Sequence, residues 1–332
     1  MTTRILSERD VGSLFSFDEG IAALADALSR LQAGVAVMPS RGLLRVGRGS
    51  DDLQVLTMPA HVGPGAPVVV KLSALAPGNV AKHLPLVHAI VALLDGCSGQ
   101  VLALLEGASL TALRTGAMSG LATKLLARED ARSVAMIGAG EQAKTQLAAV
   151  CAVRDIERVR IHSRTRSRAE ALACWAQALK LPDVTVSATV EQALAGADIV
   201  CTATSTSSPA PLMSEDQIRA GMHVNAIGGV DERACELPPR ALGRCYTVVE
   251  QREAALAEAG EVIEAIRLGV TTPSQLVEIG EIVAGRARGR SAADEITIFK
   301  SVGIAVQDAA IAALLYDKAL AGGVGVNVAL GA

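Results

Sequence analysis

Aromatic side chains are scarce: one Trp, two Tyr and three Phe among 332 residues, 2% of the chain. Binders of single-stranded nucleic acid stack bases on such rings, so that class is excluded. Positive charge is not in excess either. Lys and Arg number 31 against 34 Asp and Glu, a net charge of −3, whereas a phosphate-binding surface needs a basic stripe. No uncharged apolar run reaches the ~18 residues a membrane span requires. The N-terminal segment MTTRILSERDVGSLFSFDEG places Arg4, Glu8, Arg9 and Asp10 where a secretory signal needs its apolar stretch. The six cysteines, at 97, 151, 174, 201, 235 and 245, are scattered without a CxxC and read as small apolar side chains in a reducing compartment. His61, His83, His88, His162 and His223 show no metal-ligand spacing, and neither HExxH nor the G-x-S-x-G elbow occurs. These absences leave a soluble cytoplasmic globular chain with no metal, no nucleic acid and no membrane among its partners.

Half of the residues are hydrophobic, which excludes a disordered chain and, at roughly 100–200 residues per domain, suits two cores. Residues 11–34 predict a helix, with Asp18 as its N-cap, Ile21, Leu24, Leu28 and Leu31 at helical spacing, and Gly34 as the stop. From 41 to 105 the runs LQVLTMP, PVVVKLSAL, HAIVALLD and QVLALLEG predict strands, with a tight turn at Asp95–Gly99. They form a mostly antiparallel or mixed sheet with a helix packed on it. After a helix over about 110–128, strand and helix patterns alternate: SVAMIG, EQAKTQLAAVCAV, RVRIHS, RAEALACWAQAL, VTVSA, VEQALAGA and DIVCTAT, with the further strands HVNAIG and YTVVE. Such alternation predicts βαβ units and an α/β fold built on a doubly wound parallel sheet. The stretch from Ile296 to Leu320 predicts a helix.

The sharpest local pattern is Gly138-Ala139-Gly140-Glu141-Gln142-Ala143, a GxGxxA between a strand and a helix. The first glycine allows the tight turn, the second lets backbone approach a pyrophosphate, and the small last residue lets helix and strand pack closely. The helix N-terminus then offers unpaired N–H groups to the phosphates. A ribose-binding acid is expected roughly 20 residues further on. The chain instead reads Ser163-Arg164-Thr165, with no acid through Arg168, a composition suited to a 2′-phosphate with Arg164 as its clamp. NADP(H) is therefore preferred over NAD, with NADH still possible. Lys71, inside Val68-Val69-Val70-Lys71-Leu72, either points outward as an edge charge or faces an acidic ligand, since a buried unpaired ammonium is costly. Arg114 is a lone cation in a helix of small apolar residues and calls for an anionic partner. Arg41 and Arg45, in PSRGLLRVG, read on pattern alone as surface residues.

Taken together, Met58-Pro59, Val70-Lys71-Leu72, Asn79…Leu84-Pro85, Leu110-Thr111-Ala112-x-Arg114-Thr115-Gly116-Ala117 and Ile137-Gly138-Ala139-Gly140-x-Gln142-Ala143 resemble the ornithine cyclodeaminase/mu-crystallin family. So do Ala226-Ile227-Gly228-Gly229…Glu236-Leu237 and Phe299-Lys300-Ser301-Val302-Gly303…Asp308. Ser163-Arg164-Thr165 and Glu253-Ala254-Ala255-Leu256-x-Glu258-x-Gly260 are most similar to its ketimine reductase branch, a group that also holds Δ1-pyrroline-2-carboxylate reductases. The resemblance implies a Rossmann domain over 126–304 and an α+β domain for substrate binding and homodimerisation over 1–125 plus a C-terminal helix at 305–332. It implies that Lys71 and Arg41, the latter in a Pro-x-Arg, hold a substrate carboxylate, and that Arg114 lies between substrate and cofactor. Thr202, Thr204, Ser205 and Ile227 would line the cofactor site, with Ser301 reaching it from the C-terminal side.

Two departures bear on the substrate. Ornithine cyclodeaminases place an Asp after Gly228-Gly229, where this chain has Val230 followed by Asp231, and a Glu two residues before Met58-Pro59, where it has Leu56. Without those acids the second amine of ornithine has no partner, so the resemblance implies an NADPH-dependent reductase of a cyclic ketimine carboxylate. Ornithine cyclodeamination, alanine- or opine-type dehydrogenation of an amino acid, and non-catalytic NADPH binding of the mu-crystallin kind are the alternatives.

Overall fold

The computed structural model describes residues 2–47, 53–82, 84–229 and 232–330. Val230 and Asp231, one of the two departures above, lie outside the described residues. The chain begins with β1 (Thr3–Leu6), α1 (Glu8–Leu14) and α2 (Phe17–Gln32), then runs through β2 (Gly42–Val46), β3 (Leu53–His61), β4 (Val68–Leu75), β5 (Val87–Leu94) and β6 (Val101–Glu106) into α3 (Gly107–Leu126). Next come β7 (Ser133–Ile137), α4 (Glu141–Val153), β8 (Arg158–His162), α5 (Arg166–Ala176), β9 (Asp183–Val186), α6 (Val190–Leu194), β10 (Ile199–Thr202), β11 (His223–Ala226) and β12 (Tyr246–Val249). The last part holds α7 (Arg252–Glu258), α8 (Gly260–Arg267), β13 (Val277–Glu278), α9 (Ile279–Val283), β14 (Thr297–Lys300), α10 (Ala305–Gly322) and β15 (Val326–Val328). Two compact units result: Met1–Arg114 with Ile304–Ala332, and Thr115–Gly303.

The first unit is built on a seven-stranded sheet in the order β15-β1-β6-β5-β4-β3-β2. Only β1 and β6 pair in parallel; the other ladders are antiparallel. The β5–β6 hairpin closes where expected: the Asp95 carboxylate accepts from the Cys97 and Ser98 amides, and Gly99 takes φ 72°, a left-handed conformation that glycine adopts without strain. One face of the sheet carries α10, which packs on β3, β4 and β5 and against α2. Residues 305–312 of α10 are buried without interruption, the polar Gln307 and Asp308 included.

The second unit is an eight-stranded, all-parallel sheet in the order β13-β12-β14-β11-β10-β7-β8-β9. Alternate residues of β7 serve two cores. Val134 and Met136 meet Ala143, Leu147 and Val150 of α4, while Ala135 and Ile137 join Val200, Val224 and Ile298. This is the doubly wound α/β architecture expected from the alternating pattern.

Two local expectations fail. The helix over 11–34 is two helices, because Ser16 is extended and its hydroxyl accepts from the Glu19 amide; the cap is Ser16, not Asp18. Residues 297–300 are not helical: Thr-Ile-Phe-Lys forms β14, fully buried between β11 and β12, and a continuous apolar run shows no period that separates a core strand from a helix. The segment holding Arg45 is an exposed edge strand, β2, in keeping with the surface reading of that residue. All six cysteines are free. Among the described residues no helix is long and apolar enough to cross a membrane, and no group of His, Cys, Asp and Glu is arranged to hold a metal ion.

Candidate active site

Register on the first sheet decides where Lys71 points. It lies opposite Met58 on β3 and Val91 on β5, both buried, and its own exposure is only 2%. Lys71 is therefore turned to the inner face, and the outward reading of its charge falls away. Its Nζ stands 2.7 Å from one Asp308 oxygen and 2.9 Å from the other. Asp308, in the first turn of α10, is fully buried. Arg114, also buried, approaches the same carboxylate with Nε at 3.3 Å and donates through Nη1 to Gln307 Oε1 at 2.5 Å. Arg41, just before β2, is half-buried and close enough to act on Lys71.

Burial is the main reason the Lys71 ammonium is destabilised, bringing its pKa to about 8 against the pull of Asp308, with Arg114 and Arg41 pushing the same way as burial. Two buried cations, Lys71 and Arg114, thus share the Asp308 carboxylate, with Arg41 near Lys71. A buried surplus of positive charge is costly unless an anion completes it, so this cluster is suited to receive an acid group. Asp308 and Gln307 were missed as site residues. A lone acid in the apolar run VQDAAIAALL was as anomalous as Arg114 in its helix, and the same reasoning would have found it.

In the second unit the strand order reverses between β7 and β10, the place where parallel sheets of this kind bind ligands at their C-terminal ends. Gly138 follows β7 at φ 109°, and a Cβ there would come within 2.3 Å of the Ala203 carbonyl oxygen. Gly140 caps α4, and a Cβ on it would meet nothing within 4 Å. Internal packing therefore requires the first glycine, while the second leaves open space beside a helix N-terminus. Ala143 is buried against the sheet. Ala139 and Gln142 are half-buried and Glu141 is exposed around the same turn. Backbone and space fit a dinucleotide pyrophosphate.

At the end of β8, Ser163 Oγ accepts from the Thr165 amide at 3.3 Å. Arg164 and Thr165 are exposed, and no acid lies between Ser163 and Arg168. On the other side of the reversal, Thr202 is buried and donates to Glu236 at 2.6 Å, and Thr204 gives Glu236 both its amide, at 2.8 Å, and its hydroxyl, at 2.7 Å. Ser205 is exposed, and Ile227 is buried with its amide on the Thr202 carbonyl at 2.9 Å. Ser301 donates its hydroxyl to Glu250 at 2.8 Å, and Glu250 also accepts the Val302 and Gly303 amides. The hydroxyls of Thr202, Thr204 and Ser301 are thus engaged by buried carboxylates of their own unit.

A model of the ornithine cyclodeaminase/mu-crystallin family matches residues 1–323. A Δ1-pyrroline-2-carboxylate reductase from Bacillus cereus is 37% identical over 326 residues, covering 98% of this chain and 99% of that protein. Among solved structures, the Thermococcus litoralis Δ1-pyrroline-2-carboxylate reductase in complex with NADH and L-proline superposes with a TM-score of 0.93 at 38% identity, over 98% of this chain and 100% of the other. An archaeal alanine dehydrogenase dimer with bound NAD gives a TM-score of 0.90 at 33% identity, over the full length of both.

Proposed function

The chain belongs to the ornithine cyclodeaminase/mu-crystallin family, and we propose that it reduces a cyclic 2-ketimine carboxylate, Δ1-pyrroline-2-carboxylate or its six-membered homologue, with NADPH. The observation that carries this reading is the cation cluster: buried Lys71 and Arg114 both held by the carboxylate of Asp308, with Arg41 close to Lys71. The substrate's carboxylate is the anion that completes it, and a guanidinium can hold such a group by two parallel hydrogen bonds, which fixes its orientation. A bound reduced nicotinamide supplies the hydride for the imine carbon. Lys71, with a pKa of about 8, holds a proton at Nζ that it can release to the ring nitrogen near neutral pH.

Cofactor choice rests on Ser163-Arg164-Thr165. With no acid to meet a ribose 2′-hydroxyl and with Arg164 exposed beside it, the turn favours a 2′-phosphate. The Thermococcus litoralis relative was solved with NADH, which makes NADH the second candidate. Leu56, on the same face of β3 as Met58 and opposite Ser73, gives an apolar wall where a diamino acid would need a carboxylate. This supports an imine over ornithine. The likeness to an archaeal alanine dehydrogenase supports a second reading, reductive amination of a 2-oxo acid.

A homodimer is proposed as well. Leu72 and Ile90 lie directly opposite each other on the outer face of β4 and β5, and with Leu44 of β2, which the register puts on the same face, they are exposed, an apolar patch of the kind that partners cover. Nicotinamide absorbance with five- and six-membered cyclic imines, pyruvate plus ammonia, and ornithine, each with NADPH and NADH, tests the assignment. Turnover of a cyclic imine supports it; turnover of ornithine or pyruvate alone overturns it.

A further inference from the structure

One residue beyond β11, Gly228, is gripped through both its amide and its carbonyl by buried charges. The Gly228 amide donates to Glu236 at 2.8 Å, and the Gly228 carbonyl accepts from Lys300 Nζ at 2.5 Å. Lys300 in turn pairs with Glu261 at 3.2 Å, and all three charged residues are buried. Glu236 also holds Thr202 and both donors of Thr204, so its carboxylate joins the C-terminal end of β10 to that of β11. The fit is close: a Cβ on Gly228 would come within 2.2 Å of the Thr204 carbonyl oxygen and 2.4 Å of Glu236 Oε1.

Stability alone is a poor reason for this arrangement. Two acids and one ammonium taken out of water lose solvation that their attraction repays only in part, and apolar residues of similar volume would often serve the fold as well. What the charges provide is direction, since each fixes one hydrogen-bonded group in one place. We propose that Glu236 and Lys300 are positioning residues that hold the ends of β10 and β11 as a single rigid shelf for the nicotinamide half of the dinucleotide. This rests on the reading of the Gly138 turn as the pyrophosphate site. With the diphosphate at the β7–β10 reversal and the β8 turn on the adenosine side, the ring half falls to the strands across the reversal, β10 and β11.

The test compares a whole reduced dinucleotide with its ring-less analogue. Binding of NADPH and 2′-phospho-ADP-ribose, and of NADH and ADP-ribose, is measured by calorimetry on the wild type, Glu236→Gln and Lys300→Met, with melting curves as the control for folding. For the pair that the wild type binds, either variant should lose about tenfold in affinity for the dinucleotide, the value of one well-placed hydrogen bond. Affinity for the ring-less analogue should stay within about twofold. Equal losses on both ligands, no loss on either, or failure of both variants to fold would overturn the shelf and make these residues ordinary core supports. A wild type that binds none of the four ligands would instead refute the dinucleotide reading itself.

Discussion

Lys71 and Asp308 are 237 residues apart in sequence, yet the lysine nitrogen straddles both oxygens of the aspartate, at 2.9 and 2.7 Å, inside the first unit. The pair ties the middle of β4 to the first turn of α10. Its chemical effect is to keep a proton on Lys71 that burial and two neighbouring guanidinium groups work to remove.

Removing that counter-charge should therefore move a titration. Lys71 loses its proton with a pKa of about 8, so imine reduction in the wild type should decline above that pH. In Asp308→Asn the carboxylate that favours the ammonium is gone, and the alkaline limb should shift to lower pH as kcat/KM falls, toward the roughly 100-fold that a lost proton donor costs. A pH profile of kcat/KM whose alkaline limb does not move would remove Lys71 from proton transfer.

Lys71→Ala separates substrate from cofactor. Imine turnover should drop by about 100-fold or more with the loss of both carboxylate anchor and proton. NADPH affinity, measured by fluorescence titration, should be largely kept, because the Gly138 turn belongs to the other unit. Unchanged turnover would place Lys71 outside the site.

The two fingerprint glycines should fail differently. Gly138→Ala forces a side chain into φ 109° and against the Ala203 carbonyl, costing about 1–3 kcal/mol of stability along with cofactor binding. Gly140 has ordinary φ and open space around its missing Cβ, so Gly140→Ala should keep its melting temperature and still lose dinucleotide affinity. Melting curves with and without NADPH check both; equal behaviour of the two variants would refute the division of roles.

Acid should loosen the second unit through His223. This side chain is fully buried between Thr297 and Asn225, and burial above all, helped by Arg290, depresses its pKa from 6.5 to about 3. The unfolded chain therefore takes up a proton between those values that the folded chain refuses. Its contribution to stability is complete above pH 6.5 and lost progressively toward pH 3, a loss of about 2 kcal/mol by pH 5 from this residue. His223→Gln should be less stable at pH 7.5 yet lose less on going to pH 5 in denaturant titrations. A parallel decline in both proteins would contradict this.

The parallel sheet was legible because its strands and helices alternate with distinct periods, and the phosphate turn because glycine has few substitutes there. Lys71 and Arg114 were visible as charges out of place among apolar neighbours. Arg41 was marked only by the family's Pro-x-Arg, since nothing in its own neighbours shows it half-buried beside Lys71. Asp308 carries the same local anomaly as Arg114, but the role of Glu236 depends on partners spread along the chain, and local pattern carries no information on such pairings. β14 was lost for a simpler reason. A strand buried on both faces has no alternation to display.

The crowding of Arg41 and Arg114 around Lys71 has one more consequence. Their charges help strip the lysine of its proton while the cluster awaits an anion. On the proposed reading, an arriving carboxylate neutralises that pressure and raises the affinity of Nζ for a proton. The ligand thereby keeps the acid that will serve it loaded to higher pH than a molecule without an acid group would.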